Sequence, residues 1–334
     1  MAMTGIICLL LTTFSEGSKK GAAEGIALCL KVLVPSLFPF MAAAGLAVRT
    51  GLCQRLGRLL RKPTMWLFGL DGVFAPVILL SLIGGYPVGA RAIGNLLREG
   101  QVSQEQAKRA ALFCVCAGPG FLIGFAGGFY GGTTVGMVLF GAQAASAVVL
   151  GIGINILSKK HIFSLKELSS PSLSFGDALV NAASDAARGM VGICSLVVLF
   201  GAFGGIMTEV ISSPAVSDIL LSAMEVCTAV QRLQRYPVEF CAFAVGFGGL
   251  CVHCQIFAAL GGVPVNKFLF FFIRILQGLH TANFTHLGLQ LFVRETAVFS
   301  TASAEYAGFF GGSVISGAAL LSVAIGFLLT LRKQ

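Results

Sequence analysis

Hydrophobic runs of spanning length recur from one end of this chain to the other, and the polar stretches between them are short. Unbroken runs near 24–48, 108–128, 133–157, 189–211, 264–290 and 306–331 predict membrane-spanning helices, because crossing the hydrocarbon takes about 20 apolar residues. The apolar opening, MAMTGIICLLLTTF, has no basic start and no clear cleavage site, so it reads as a short retained span. The expected fold is all-α: a polytopic membrane protein with about seven transmembrane helices.

Two further apolar stretches are interrupted at their centres. Residues 73–97 carry GGYPVG at 84–89, and residues 238–260 carry GGLCVH at 248–253. No limb of either is long enough to cross alone, so each is expected to be a re-entrant hairpin. Irregular backbone at membrane depth is tolerated only where protein buries it or a water-filled cavity receives it. A third interruption, CVCAGPGFLIG at 114–124, predicts a kink at Pro119.

Basic residues set the sidedness, since cytoplasmic loops carry excess Lys and Arg. Arg49, Arg55, Arg58, Arg61 and Lys62 precede 73–97, and Arg98, Lys108 and Arg109 follow it, which puts both ends of that stretch inside. Lys19, Lys20, Arg232 and Arg235 run against the rule. The order of elements repeats: a full span, an amphipathic stretch (LCQRLGRLLRK, then SDILLSAMEVCTAVQRLQ), a broken stretch and two more spans. Each unit has an odd number of crossings, so the units are expected to be inverted repeats. The divisions are 1–23, a short span and linker; 24–157, the first repeat; 158–188, a polar linker and amphipathic helix; and 189–334, the second repeat.

Composition agrees with lipid as the main solvent: 334 residues, 56% hydrophobic, 11% charged, mean hydropathy +0.89. The net charge of +9 is scattered at the ends of apolar runs instead of forming one stripe, which fits lipid headgroups and not nucleic acid. Most of the ten cysteines sit singly in apolar runs and read as small hydrophobes. Cys114, Cys116, Cys251 and Cys254, with His253, have some metal-ligand character, but close packing explains them better and no metal site or cofactor is expected. No phosphate loop, zinc-protease helix or nucleophile elbow occurs, so enzymatic chemistry is not expected.

The candidate site lies at the interruptions. Gly85 and Gly89 permit a turn and close approach, Pro87 removes a donor, Tyr86 and Asn95 are polar, and Arg91 adds charge. Gly248, Gly249, His253 and Gln255 belong to the second broken stretch, and Gly118 and Pro119 to the interruption at 114–124. Arg274, Gln277 and His280 share a helix face, and ionisable groups inside a membrane default to function. Arg91 and Arg274 together are expected to grip a carboxylate.

The runs VLVPSLFPF, SLIGGYPVGARAIGNLLREGQVSQEQAKRAALFC, GPGF and FGGLCVHCQ resemble the YlbJ-type sporulation integral membrane proteins, within the nucleoside-recognition or gate-domain group of transporters. The resemblance covers nearly the whole chain. It implies a permease for a small organic anion, the aromatic dicarboxylate dipicolinate, in the cell membrane that surrounds the forespore. The site residues it implies are Gly85, Tyr86, Pro87, Gly89, Ala90, Arg91, Gly118, Pro119, Gly248, Gly249, Val252, His253, Gln255 and Arg274. Where that pattern carries amides and a hydroxyl, this chain has Cys114, Val115, Cys116 and Ala117, and Cys251 replaces a serine, which keeps a nucleoside or ferrous-iron permease as alternatives. A non-transporting scaffold is a third reading. The expected partners are the bilayer and a small-molecule anion, and a homo-oligomer is compatible with both.

Overall fold

The computed structural model describes residues 2–158 and 174–293, and every regular element among them is a helix. The span expected at 306–331 and most of the linker before residue 174 lie outside the described residues. Four stretches are long and apolar enough to cross a bilayer: Ser15–Arg49, Thr133–Leu157, Phe175–Val210 and Val238–Leu260.

The first helix, α1 (Ala2–Thr13), has 12 residues. At 1.5 Å per residue it covers about 18 Å and cannot cross unaided, contrary to its reading as a span. Next, α2 (Ser15–Leu28) and α3 (Val34–Arg49) join through a π turn, Cys29–Leu33, into one rod. Two short basic helices, α4 (Leu52–Leu59) and α5 (Arg61–Phe68), follow, with Leu59 and Trp66 exposed.

The first interrupted stretch folds back on itself. α6 (Phe74–Gly84) stops at Gly85, whose φ of +84° favours glycine, and α7 (Tyr86–Arg98) restarts with Pro87 in its first turn, where no N–H is needed. A Cβ on Gly89 would come within 2.5 Å of the Ser81 Cβ, so the glycine lets the two limbs lie together.

The span expected at 108–128 is in two pieces. α8 (Gln104–Phe113), opened by a Ser103/Gln106 capping box, ends at Cys114. The chain runs without helix to Gly118, and a π turn at Gly120–Ala126 leads into α9 (Gly127–Phe129). The kink expected at Pro119 is therefore a full break, because Gly118 and Pro119 withdraw both helix propensity and a donor. α10 (Thr133–Leu157) then crosses unbroken, as expected.

The longest helix is α11 (Phe175–Val210), 36 residues, started by Ser174, whose hydroxyl accepts from the Asp177 N–H. Residues 175–188, within the stretch expected to hold a linker and an amphipathic helix, are its opening turns. α11 lies antiparallel to α2–α3: Gly205 meets Gly17, Gly201 meets Gly21, Cys194 meets Cys29, and Ala182 meets Gly45. A Cβ on Gly17 would stand 2.9 Å from the Gly205 carbonyl, so glycines at four-residue spacing bring the two backbones together.

The remaining elements correct the second expected hairpin. α12 (Pro214–Met224) and α13 (Val226–Arg232) fold back at Glu225, and buried Asp218 on α12 pairs with Arg232 at 3.3 Å and Arg235 at 3.5 Å. The stretch read as merely amphipathic is thus a helical hairpin. By contrast, α14 (Val238–Phe247) and α15 (Gly249–Leu260) progress in one direction along α16 (Lys267–Phe292). Glu239 meets His286, Gly246 meets Gly278, Phe247 meets Arg274, and Phe257 meets Phe270. Residues 238–260 therefore form a broken crossing, not a re-entrant hairpin. Gly248 and Gly249, at φ +94° and +73°, redirect the chain without reversing it.

Candidate functional site at the helix breaks

The breaks pair up in space. The Gly85 tip of α6–α7 lies against the break before α9: a Cβ on Gly118 would sit 3.0 Å from the Ile83 carbonyl and 3.3 Å from the Gly85 nitrogen. The Glu225 tip of α12–α13 lies against the break between α14 and α15 in the same manner. A Cβ on Gly249 would sit 3.1 Å from the Met224 carbonyl and 3.3 Å from the Glu225 nitrogen.

Two inward-facing helices brace the breaks. On α10, Gln143 accepts from the Ala117 N–H at 3.0 Å and donates to the Val245 carbonyl at 3.3 Å. That carbonyl also accepts from the Tyr86 hydroxyl at 2.6 Å. On α16, fully buried Arg274 donates from Nε to the Phe247 carbonyl at 3.1 Å and from Nη1 to the Val115 carbonyl at 2.7 Å and the Gln277 amide oxygen at 2.6 Å. Its Nη2 donates to the Gly246 carbonyl. Tyr86 lies 5.8 Å from the guanidinium, measured to the ring centroid. One cation thus neutralises the carbonyl ends exposed where α14 stops and where the chain crosses between α8 and α9.

Three cavities lie in order along the paired rods α2–α3 and α11. A vestibule of about 530 Å³ is bordered by Gly21 and Lys31 on one rod and Gly201 and Thr208 on the other, with Arg232 and Arg235 beside it. A central cavity of about 30 Å³ follows, between Leu33 and Leu37 on one rod and Ile193 and Val197 on the other. The third, about 230 Å³, lies by Met41, Arg49, Ala182 and Asp185. The central cavity collects three of the breaks, at Gly85, Tyr86 and Pro87, at Ala117 and Gly118, and at Glu225 and Cys227, and adds Val252 and Gln255 from α15 just beyond the fourth. It has room for about one or two waters, so the middle is narrow while both ends are wider.

Most of the residues singled out from the sequence gather here. Gly85, Tyr86, Pro87, Gly118 and Gln255 line the central cavity, Gly89 packs against Ser81 and Cys114, Pro119 precedes the π turn, and Gly248 and Gly249 form the neighbouring break. His253 is buried, ringed by Phe247, Phe270 and Phe271 at centroid distances of 4.9, 5.5 and 4.6 Å. Its Nδ1 meets the Gly249 carbonyl, and its buried Nε2 has no hydrogen-bond partner.

The two arginines part company. Arg91 and Asn95 line the 230 Å³ cavity, and Arg91 donates to the Asp185 carbonyl at 3.3 Å beside the Arg49–Asp185 ion pair. Arg274 lines none of the three cavities. Residue reading missed Glu225 and Gln143. The available signal was a glutamate in the middle of the apolar run LLSAMEVCTAV. Glu225 is 4% exposed and caps α13, accepting from the N–H groups of Cys227 at 2.9 Å and Thr228 at 2.6 Å. Among the described residues, no three His, Cys, Asp or Glu side chains converge as a metal site, and Cys254 is exposed, apart from buried Cys114, Cys116 and Cys251.

These features define an integral membrane protein whose broken helices meet at its core. The chain is 26% identical, over 81% of its own length and 78% of the relative's, to the sporulation integral membrane protein YlbJ of Bacillus subtilis (strain 168), a similarity that supports the resemblance to the YlbJ type. The match reaches that type and not the wider nucleoside-recognition grouping. No family model and no solved structure matches the chain.

Proposed function

We propose that this protein is a permease, not an enzyme, which moves a small organic anion across the membrane by alternating access. The observation that carries this reading is the convergence of three chain breaks, with α15 just beyond the fourth, on a narrow central cavity between wider cavities at the two ends of the same helix pair. Secondary transporters build substrate sites where discontinuous helices meet near the midplane.

The finer architecture belongs to the same proposal. Each half reads as a span, a fold-back pair, a broken span and a span: α2–α3, α6–α7, α8–α9 and α10, then α11, α12–α13, α14–α15 and α16. The two rods run antiparallel, and so do α10 and α16, where Ser146 meets the Gln277 carbonyl and Val138 meets Gly288. That is the relation of inverted repeats. The equivalences differ from those expected: Gly85 corresponds to Glu225, and the GPG break to Gly248. Three crossings per half give six among the described residues, with 238–260 counted in place of the short first segment of the expected seven. α16 is counted as a crossing although Arg274, Gln277, His280 and Thr281 make it too polar to qualify by composition; these residues are buried against protein.

Arg91, at the mouth of the 230 Å³ cavity, supplies positive charge and a planar fork suited to a carboxylate. The family resemblance favours dipicolinate and a role in sporulation, in the membrane around the forespore. The test is uptake into proteoliposomes of dipicolinate, other dicarboxylates, nucleosides and Fe(II). Saturable dipicolinate uptake is expected. Uptake confined to nucleosides or iron would replace the substrate class, and no uptake of any would favour a scaffold.

A further inference from the structure

The vestibule and the central cavity share two lining residues, Val197 and Glu225. A solute passing between them passes a buried carboxylate. The vestibule is otherwise suited to anions, with Lys31, Arg232 and Arg235 on its walls and Glu24 as its other acid. On the side away from the vestibule, the groups facing Glu225 are the thiols of Cys29 from the π turn, Cys227 from its own helix and Cys251 from α15, with the Tyr86 ring across the cavity. Among the described residues no Lys or Arg lines the central cavity to offset the carboxylate, whose ligands are N–H groups and the Thr228 hydroxyl.

An anion meeting this charge outside bulk water is strongly repelled, because the interaction grows as the effective dielectric falls. A bound proton removes the repulsion. It also leaves the carbonyl oxygen of the acid able to go on accepting from the start of α13, so the hairpin tip need not come apart. Acidic groups at membrane depth serve as proton relays in pumps and transporters for this reason.

We infer that Glu225 is the coupling site of a proton–anion symport: it takes up a proton from the vestibule, the anion crosses the boundary at Val197 beside the neutral acid, and the two are released together on the other side. The inference rests on the permease reading and adds to it the coupling ion and its residue. Proton and anion move in one direction, and no covalent bond other than the acid's own O–H is made or broken.

The experiment uses the purified full chain in proteoliposomes with labelled dipicolinate as probe. Two readouts are taken: exchange of internal for external label with no gradient, and accumulation driven by an acid exterior. For one proton per anion, each pH unit of gradient should raise the accumulation ratio about tenfold. Glu225→Gln, a permanent mimic of the neutral acid, should still exchange label and lose the gradient response. Glu225→Asp, which keeps a titrating group, should retain the response. Exchange by the wild type without any response to pH, a response only to a sodium gradient, a response kept by Glu225→Gln, or one lost by Glu225→Asp would each overturn the inference while leaving the permease standing. Absence of both exchange and uptake in the wild type would overturn the permease reading and the inference with it.

Discussion

Arg91 and Arg274 look alike as sequence: each is a cation within an apolar run. In three dimensions they do different work. The Arg274 guanidinium is fully buried, and its donors are taken by three backbone carbonyls and the Gln277 amide. Arg91 borders a cavity, makes a single bond to the Asp185 carbonyl, and has an ion pair for a neighbour. The difference teaches that a charge at membrane depth can be a fastening of the fold or part of a solute path, and that the partners of the charge decide which.

The comparison is most exposed to substitution at Arg274. Arg274→Gln leaves the carbonyls of Val115, Gly246 and Phe247 short of donors, and unsatisfied buried groups cost about 1–3 kcal/mol each. A loss of at least about 3 kcal/mol is expected, read as a large fall in Tm in detergent. Arg274→Lys should recover only part of it, because lysine lacks the fork. An unchanged Tm together with lost uptake would break the comparison by returning Arg274 to the solute path. Next in size is Gln277→Leu, which orphans one Arg274 donor and should cost about 2 kcal/mol by the same measurement.

Arg91→Gln should leave Tm near the wild-type value and reduce anion uptake about tenfold, equivalent to about 1.4 kcal/mol. A collapse of Tm would make the two arginines the same kind of residue. The smallest effect is expected from Asp185→Asn, whose partner Arg49 is 25% exposed and which is itself 47% exposed. Such pairs contribute about 0–1 kcal/mol, so Tm should barely move, and adding salt should not enlarge the change.

Glycine and proline made three of the four breaks legible, because GGYPVG, AGPG and GGLCVH each withdraw helix propensity at a definite place. The fourth was hidden, since Glu225 ends one helix by capping the next and no glycine or proline marks the turn. Whether a break folds back or passes through was not legible either. α12–α13 reverses because Asp218 finds Arg232 and Arg235 across the turn, while α14–α15 continues because α16 lies alongside α14 and its first turns meet His253 and Phe257 of α15. Both facts depend on contacts that no local pattern carries. The amphipathic look of SDILLSAMEVCTAVQRLQ misled for a related reason: charges that suggested a membrane surface pair with one another, with Asp218 buried. The glycines of α2 and α11 stood in plain view at four-residue spacing, but a spacing does not name its partner.

The glycine seam between α2 and α11 also bears on how the protein is made. Gly17 and its hydrogen-bonding partner Glu209 are 192 residues apart in the chain. At a synthesis rate of about 5–20 residues per second, roughly 10–40 s pass between the emergence of one and the other. Throughout that interval the grooved face of α2 has only acyl chains or the insertion machinery against it, and neither matches a surface shaped for a second backbone. Closing the seam is therefore a late event of biogenesis, and a ribosome stalled before residue 201 leaves an assembly in the membrane with that groove unfilled.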